Sequence, residues 1–97
     1  MRLSDLLTRE MTAANATALS GGPEIRGITA DSRAVEPGFL FAALPGTRAD
    51  GRNFIEQAIT RGATAILAPT GTALRSCPGG VALVTADEPR RALALLA

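Results

Sequence analysis

Apolar residues run without interruption from Phe39 to Leu44 and from Val81 to Val84, and Ala63-Thr64-Ala65-Ile66-Leu67 is apolar but for Thr64; turn residues flank them. Runs of this length with turn signals at both ends predict strands buried on both faces. Between the first two, Phe54, Ile55, Ala58 and Ile59 recur at the spacing of one helix face. The spacing predicts a helix over roughly Arg52 to Arg61, with Asp50 placed to cap its start and Gly62 to end it. A strand, a helix and a second strand at once imply a parallel, right-handed crossover. After 81–85, Asp87 is placed to cap a last helix with Pro89 in its first turn and Leu93 and Leu96 on one face.

The remaining segments are less regular. Leu3, Leu6 and Leu7 share one face of a short helix with Arg2 and Arg9 outside it. Residues 11–22 carry no usable period and are expected to be a loop, as are 69–80 apart from a helical turn near Ala73. Residues 24–30 alternate only if Gly27 supplies a bulge or bend, and Val35-Glu36-Pro37-Gly38 is a turn signal. The link from 24–30 to 38–44 is about seven residues, shorter than a parallel crossover needs. A hairpin there would put Ser32 and the 45–51 loop at opposite ends of the strand, roughly 20 Å apart at about 3.3 Å per residue. The fold class expected is α/β: a small mixed, partly parallel sheet flanked by helices and containing one βαβ unit. The final helix lacks a Gly, Pro or polar stop, so the chain is expected to be a fragment of something longer, frayed from about Leu95.

Composition narrows the chemistry. Ninety-seven residues, 46% of them apolar, make one domain with a core of Ala, Val, Leu and Ile. The formal charge is +1, the arginines are scattered, and there is no Trp or Tyr, which disfavours nucleic acid. There is no His and no Lys. That excludes an imidazole base, the usual zinc sites, Schiff-base chemistry and a P-loop lysine. Cys77 has no partner for an internal disulfide. With no leader-like or membrane-length apolar run, a cytoplasmic protein is expected.

Two loops hold the candidate ligand groups. Gly46-Thr47-Arg48-Ala49-Asp50-Gly51-Arg52-Asn53 has the glycine spacing of a phosphate loop, between a strand and a helix. Arg52 stands where the Lys belongs, and Asn53 lacks the hydroxyl that holds Mg2+. ATP hydrolysis is therefore disfavoured; the loop suits an anionic or nucleotide ligand, unless its glycines serve geometry alone. Asp31-Ser32-Arg33 sets a hydroxyl between opposite charges, and the same residues suit a locally bonded turn. Nothing in the sequence brings Asp31 and Asp50 together as an acid/base pair.

The run Ile28-Thr-Ala-Asp-Ser-Arg-Ala-Val-Glu-Pro-Gly-Phe-Leu-Phe-Ala-Ala-Leu-Pro-Gly-Thr-Arg-Ala-Asp-Gly-Arg-Asn-Phe-Ile, with Gln57-Ala58-Ile59 and Gly62-Ala63, resembles the N-terminal domain of the Mur ligases. These enzymes use ATP to add amino acids to the UDP-linked muramoyl peptide precursor of peptidoglycan. Leu3-Ser-Asp-Leu-Leu and Asp31-Ser32-Arg33 are most similar to the member that adds the third residue, diaminopimelate or lysine. The resemblance implies that the domain holds the UDP end of UDP-N-acetylmuramoyl-L-alanyl-D-glutamate. Ser32 and the Ala30 backbone would contact the nucleotide, and Thr47, Arg48 and Ala49 would supply the second loop. Two positions depart from the family, Phe39 where Asp is usual and Arg52 where His is common. The ATP loop, the catalytic lysine and the metal ligands are implied for a central domain of the parent enzyme, and the hold on the incoming amino acid largely for a C-terminal one. This chain is expected to bind and not to catalyse, with no metal or cofactor of its own. The alternatives are the D-alanyl-D-alanine-adding relative, or an interaction module that has lost the ligand.

Overall fold

The three apolar stretches do form strands, at the centre of a five-stranded sheet. The computed structural model describes Leu3 and residues 11–13, 24–44, 54–71 and 81–96. Its strands are β1 (Thr12–Ala13), β2 (Gly27–Thr29), β3 (Phe39–Ala42), β4 (Ala65–Pro69) and β5 (Ala82–Ala86). Helix α1 is Ile55–Thr60, helix α2 is Pro89–Leu96, and Ser32–Ala34 make one 3-10 turn. The spatial order is β1-β5-β4-β3-β2, with β2 to β5 mutually parallel and β1 antiparallel at the edge.

Register explains why the runs are apolar throughout. Leu40, Ala65 and Ala82 form one cross-strand row, and Phe41, Ile66 and Leu83 form the next. Successive rows face opposite sides of a pleated sheet. Leu40, Ala42, Leu67, Val84 and Ala86 pack with Leu3 and with Ala92 of α2. Phe41, Ala43, Ile66 and Ala68 pack with Ile55 and Ala58 of α1 and with Val35. Both faces of the central strands are covered, as parallel sheets require.

Three expectations need correcting. Residues 11–22 are not all loop, because Thr12 and Ala13 pair with Thr85 and Val84; a two-residue strand is too short to show a period. Strands β2 and β3 are parallel, Gly27 opposite Phe39 and Thr29 opposite Phe41, and not a hairpin. Only three residues pair, about 10 Å of strand at ~3.3 Å each. Residues 30–38, folded through one 3-10 turn, suffice to retrace that distance. Phe54 does not join the core face: it precedes α1, makes no side-chain cap bond and is 37% exposed. Asp50, Leu6, Leu7, Cys77 and the 69–80 stretch beyond Gly71 lie outside the described residues.

The punctuation residues act as their chemistry dictates. The Phe39 N–H donates to the Glu36 carbonyl at 3.0 Å, with Pro37 and Gly38 between them and Gly38 at φ 90°, which is a type II turn. At the end of α1, Ala63 N–H donates to the Ala58 carbonyl and Gly62 N–H to the Ile59 carbonyl, a Schellman cap. Gly62 has φ 109°, and a Cβ there would stand 2.8 Å from the Pro37 Cα. Pro89 takes the first helical position of α2, and the Ala92 N–H reaches the Glu88 carbonyl, so the cap position falls one residue after Asp87. Among the described residues no helix is long and apolar enough to cross a membrane.

Gly62→Ala should lower stability by about 1–3 kcal/mol from backbone strain, plus the cost of displacing Pro37. Gly71, at φ 90° with open space around it, isolates the strain alone. Urea midpoints of the two alanine variants should therefore differ, with Gly62→Ala the lower. Thr64 Oγ1 is buried with no hydrogen-bond partner. Thr64→Val, which keeps the shape and removes the orphan hydroxyl, should raise stability by up to about 1 kcal/mol in the same measurement.

Candidate functional site

Because β2 to β5 run in one direction, the segments that follow them leave the sheet at a single edge. That edge is where open α/β sheets present ligand-binding groups. Ala30 to Arg33 follow β2 there, and the chain beyond Leu44 departs from β3 at the same edge. The parallel pairing thus puts Ser32 and the end of β3 at the same edge, where a hairpin would have put them at opposite ends. Thr47, Arg48 and Ala49 themselves lie outside the described residues.

Asp31 caps the 3-10 turn. Its Oδ1 accepts the Arg33 N–H at 2.9 Å and the Arg33 Nε–H at 3.3 Å, while its own N–H donates to Thr29 Oγ1 at 3.1 Å. Arg61, at the far end of α1, donates from Nη2 to the Arg33 carbonyl at 3.0 Å and ties the turn to the helix. The Arg33 N–H bond, then the Arg33 side chain, hold the Asp31 carboxyl below its usual range, against a smaller opposing effect of burial. Both partners of the Arg33–Asp31 pair are largely exposed, so the pair itself adds little stability.

Ser32 differs from its neighbours. It is 8% exposed, and among the described residues nothing bonds its hydroxyl. It lines an open cavity of about 440 Å3 together with Ala30, Asp31, Arg33, Phe54 and Gln57. The structure therefore brings together Ser32 and Ala30, the two candidates it describes. Phe54 and Gln57 were missed by sequence reasoning. Their signal is the i, i+3 spacing, which sets both beside the core face of Ile55, Ala58 and Ile59 and toward the edge. Asp87, Glu88, Pro89, Arg90 and Arg91 line a second hollow of about 350 Å3 at the start of α2. Arg90 and Arg91 are exposed there, and Arg91 lies 4.0 Å from Glu88.

A depressed carboxyl contributes stability above its unfolded value of 3.8 and loses it as pH falls through the lower folded value. Asp31→Asn should therefore be less stable than wild type at neutral pH, and the gap should close under acid. Urea midpoints across pH check this; a gap that persists below the folded value would assign the difference to shape and not to charge.

The described geometry agrees with what comparison finds. The profile of the Mur ligase family, catalytic domain, matches residues 24–95. The UDP-N-acetylmuramoyl-L-alanyl-D-glutamate--2,6-diaminopimelate ligase of Caulobacter vibrioides is 50% identical over 96 residues, 99% of this chain and 18% of its own length. The ligase of the same name from Streptomyces coelicolor is 47% identical over 79% of this chain and 15% of its own length. Among solved structures, the MurF ligase of Thermotoga maritima in complex with ADP superposes with a TM-score of 0.61 at 31% identity, covering 73% of this chain and 16% of that one. The chain spans less than a fifth of the length of these relatives. A profile match over most of the sequence and a near-complete alignment at 50% identity place this chain in the Mur ligase family.

Proposed function

We propose that this domain holds the UDP end of a UDP-N-acetylmuramoyl-peptide for an ATP-dependent ligase of peptidoglycan biosynthesis in the bacterial cytoplasm. The observation that carries the proposal is the place of Ser32: a largely buried residue that lines an open cavity at the C-terminal edge of parallel strands, its hydroxyl bonded to none of the described residues. A hydroxyl both donates and accepts, which suits a ribose or a base edge. Ala30 offers its backbone beside it, and Thr47, Arg48 and Ala49 would complete the site from the loop after β3.

The chain has no Lys and no His, so ATP activation of a carboxylate, with its Mg2+, is assigned to a central domain of the parent enzyme. The substrate is proposed to be UDP-N-acetylmuramoyl-L-alanyl-D-glutamate, since relatives at 41–51% identity carry that name. The structural neighbours of the D-alanyl-D-alanine-adding type are 26–32% identical, which ranks that alternative second. The interaction module without a ligand ranks below both, since relatives at 41–51% identity carry the name of a UDP-linked substrate's ligase.

Calorimetric titration should show binding of the UDP-linked muramoyl peptide and none of ATP; the reverse result would reject the proposal. Ser32→Ala should weaken binding by about 0.5–1.5 kcal/mol with little change in stability, because its hydroxyl bonds no described residue. Arg48→Ala, removing a charge-assisted contact to phosphate, should lose about 1.5–3 kcal/mol in a salt-dependent way.

A further inference from the structure

Three phenylalanines are the whole aromatic complement of the chain. Phe41 is a core residue, 1% exposed. The Phe39 ring lies over Gly27, where an added Cβ would meet ring atoms at 2.6 Å. Phe54 has no such seat. Among the described residues it is the large hydrophobic side chain left exposed, and it lines the cavity that holds the Ser32 hydroxyl. Gln57, one helical turn on, lines the same cavity.

The cavity thus has two unlike walls. Residues 30–33 supply a polar turn with one unpartnered hydroxyl. Phe54 supplies a flat apolar ring, and an exposed ring gains most from a second flat surface laid on it. A ligand matching both walls is planar on one side and rich in hydrogen-bonding edges on the other, as a nucleobase is. We infer that Phe54 is the stacking platform for the nucleobase of the bound nucleotide, with the Gln57 amide facing the base edge. A glutamine amide donates and accepts, so it serves an edge of either polarity. This rests on the assignment of the cavity to a nucleotide.

The absence of Trp and Tyr makes the test direct. Phe54→Trp places a single indole at the platform, and UDP should quench its emission while inorganic pyrophosphate and ribose 5-phosphate, which carry no base, should not. Phe54→Ala should weaken UDP binding at least about fivefold, within the range for loss of one base–aromatic stack. It should lower thermal stability only modestly, because the ring belongs to neither core cluster. A wild-type chain that does not bind UDP overturns the nucleotide assignment and the platform with it. If wild type binds UDP and Phe54→Ala binds equally well, the platform alone is overturned. Equal UDP affinity with loss of self-association on size exclusion would likewise overturn it and assign the ring to an interface.

Discussion

The close approach of Gly62 to the Pro37–Gly38 turn fixes where everything else can sit. The Gly38 N–H donates to the Gly62 carbonyl at 3.1 Å, and the Pro37 Cα lies where a Gly62 Cβ would be. One contact thereby joins the end of α1 to the turn that starts β3. Two further bonds extend the lock. Thr64 N–H reaches the Phe39 carbonyl, and Ala82 N–H reaches the Thr64 carbonyl, so the same corner sets the starts of β3, β4 and β5. From Gly62 back to Phe54 a helix rises about 12 Å at 1.5 Å per residue. That length carries the first turn of α1 to the opposite edge of the sheet, beside the 3-10 turn. The position of the cavity is therefore set from its far side, by backbone atoms that no side-chain exchange at the site would disturb.

Much of this was legible in the sequence because it is local. Gly62 as a helix stop, Pro37-Gly38 as a turn, Phe39 to Leu44 as a doubly buried strand and the two later apolar stretches as strands each follow from residues within a few positions of one another. The βαβ unit follows from their order. What escaped depends on partners distant in the chain. Thr12 and Ala13 are strand only because β5 offers them an edge. The parallel pairing of β2 escaped because crossover length was judged against a full strand, whereas only three residues pair. Phe54 was assigned to the core because it is apolar and next to Ile55, yet a one-residue step is about 100° around a helix, enough to turn it from the sheet to the rim.

At the candidate site, three adjacent residues divide into two jobs. Asp31 and Arg33 satisfy the backbone and each other, and Arg61 holds the turn from outside. Together they shape the loop and leave Ser32 buried without asking its hydroxyl for a bond. The sequence triplet suited a locally bonded turn as well as a ligand, and the bonds of Asp31 and Arg33 are those of the turn. The departure at Phe39 is absorbed in a similar way. Its ring covers Gly27, the residue directly across the β2–β3 pair, so the bulky residue after Gly38 coexists with an intact type II turn. Gly27, expected to bend its strand, instead provides the room for that ring.

The proposed division between holding and reacting has an energetic logic. Affinity spent equally on substrate and transition state lowers the substrate concentration needed but does not by itself speed the chemical step. A remote anchor assists catalysis when it restricts the approach of the reacting group, converting binding into orientation. An anchor can do this only if it does not yield under the load. Here the anchor groups stand on a turn capped by its own carboxylate and tied by Arg61 to the same end of α1 that Gly62 locks against the β3 turn. Ser32 and Phe54 are thus held by two elements that meet again at Gly62, and a displacement of either at the cavity would have to break contacts at the opposite edge. A domain with no His, no Lys and no metal-holding cluster among its described residues can still matter to the reaction in this way. Its contribution would be the fixed position of one end of a long substrate.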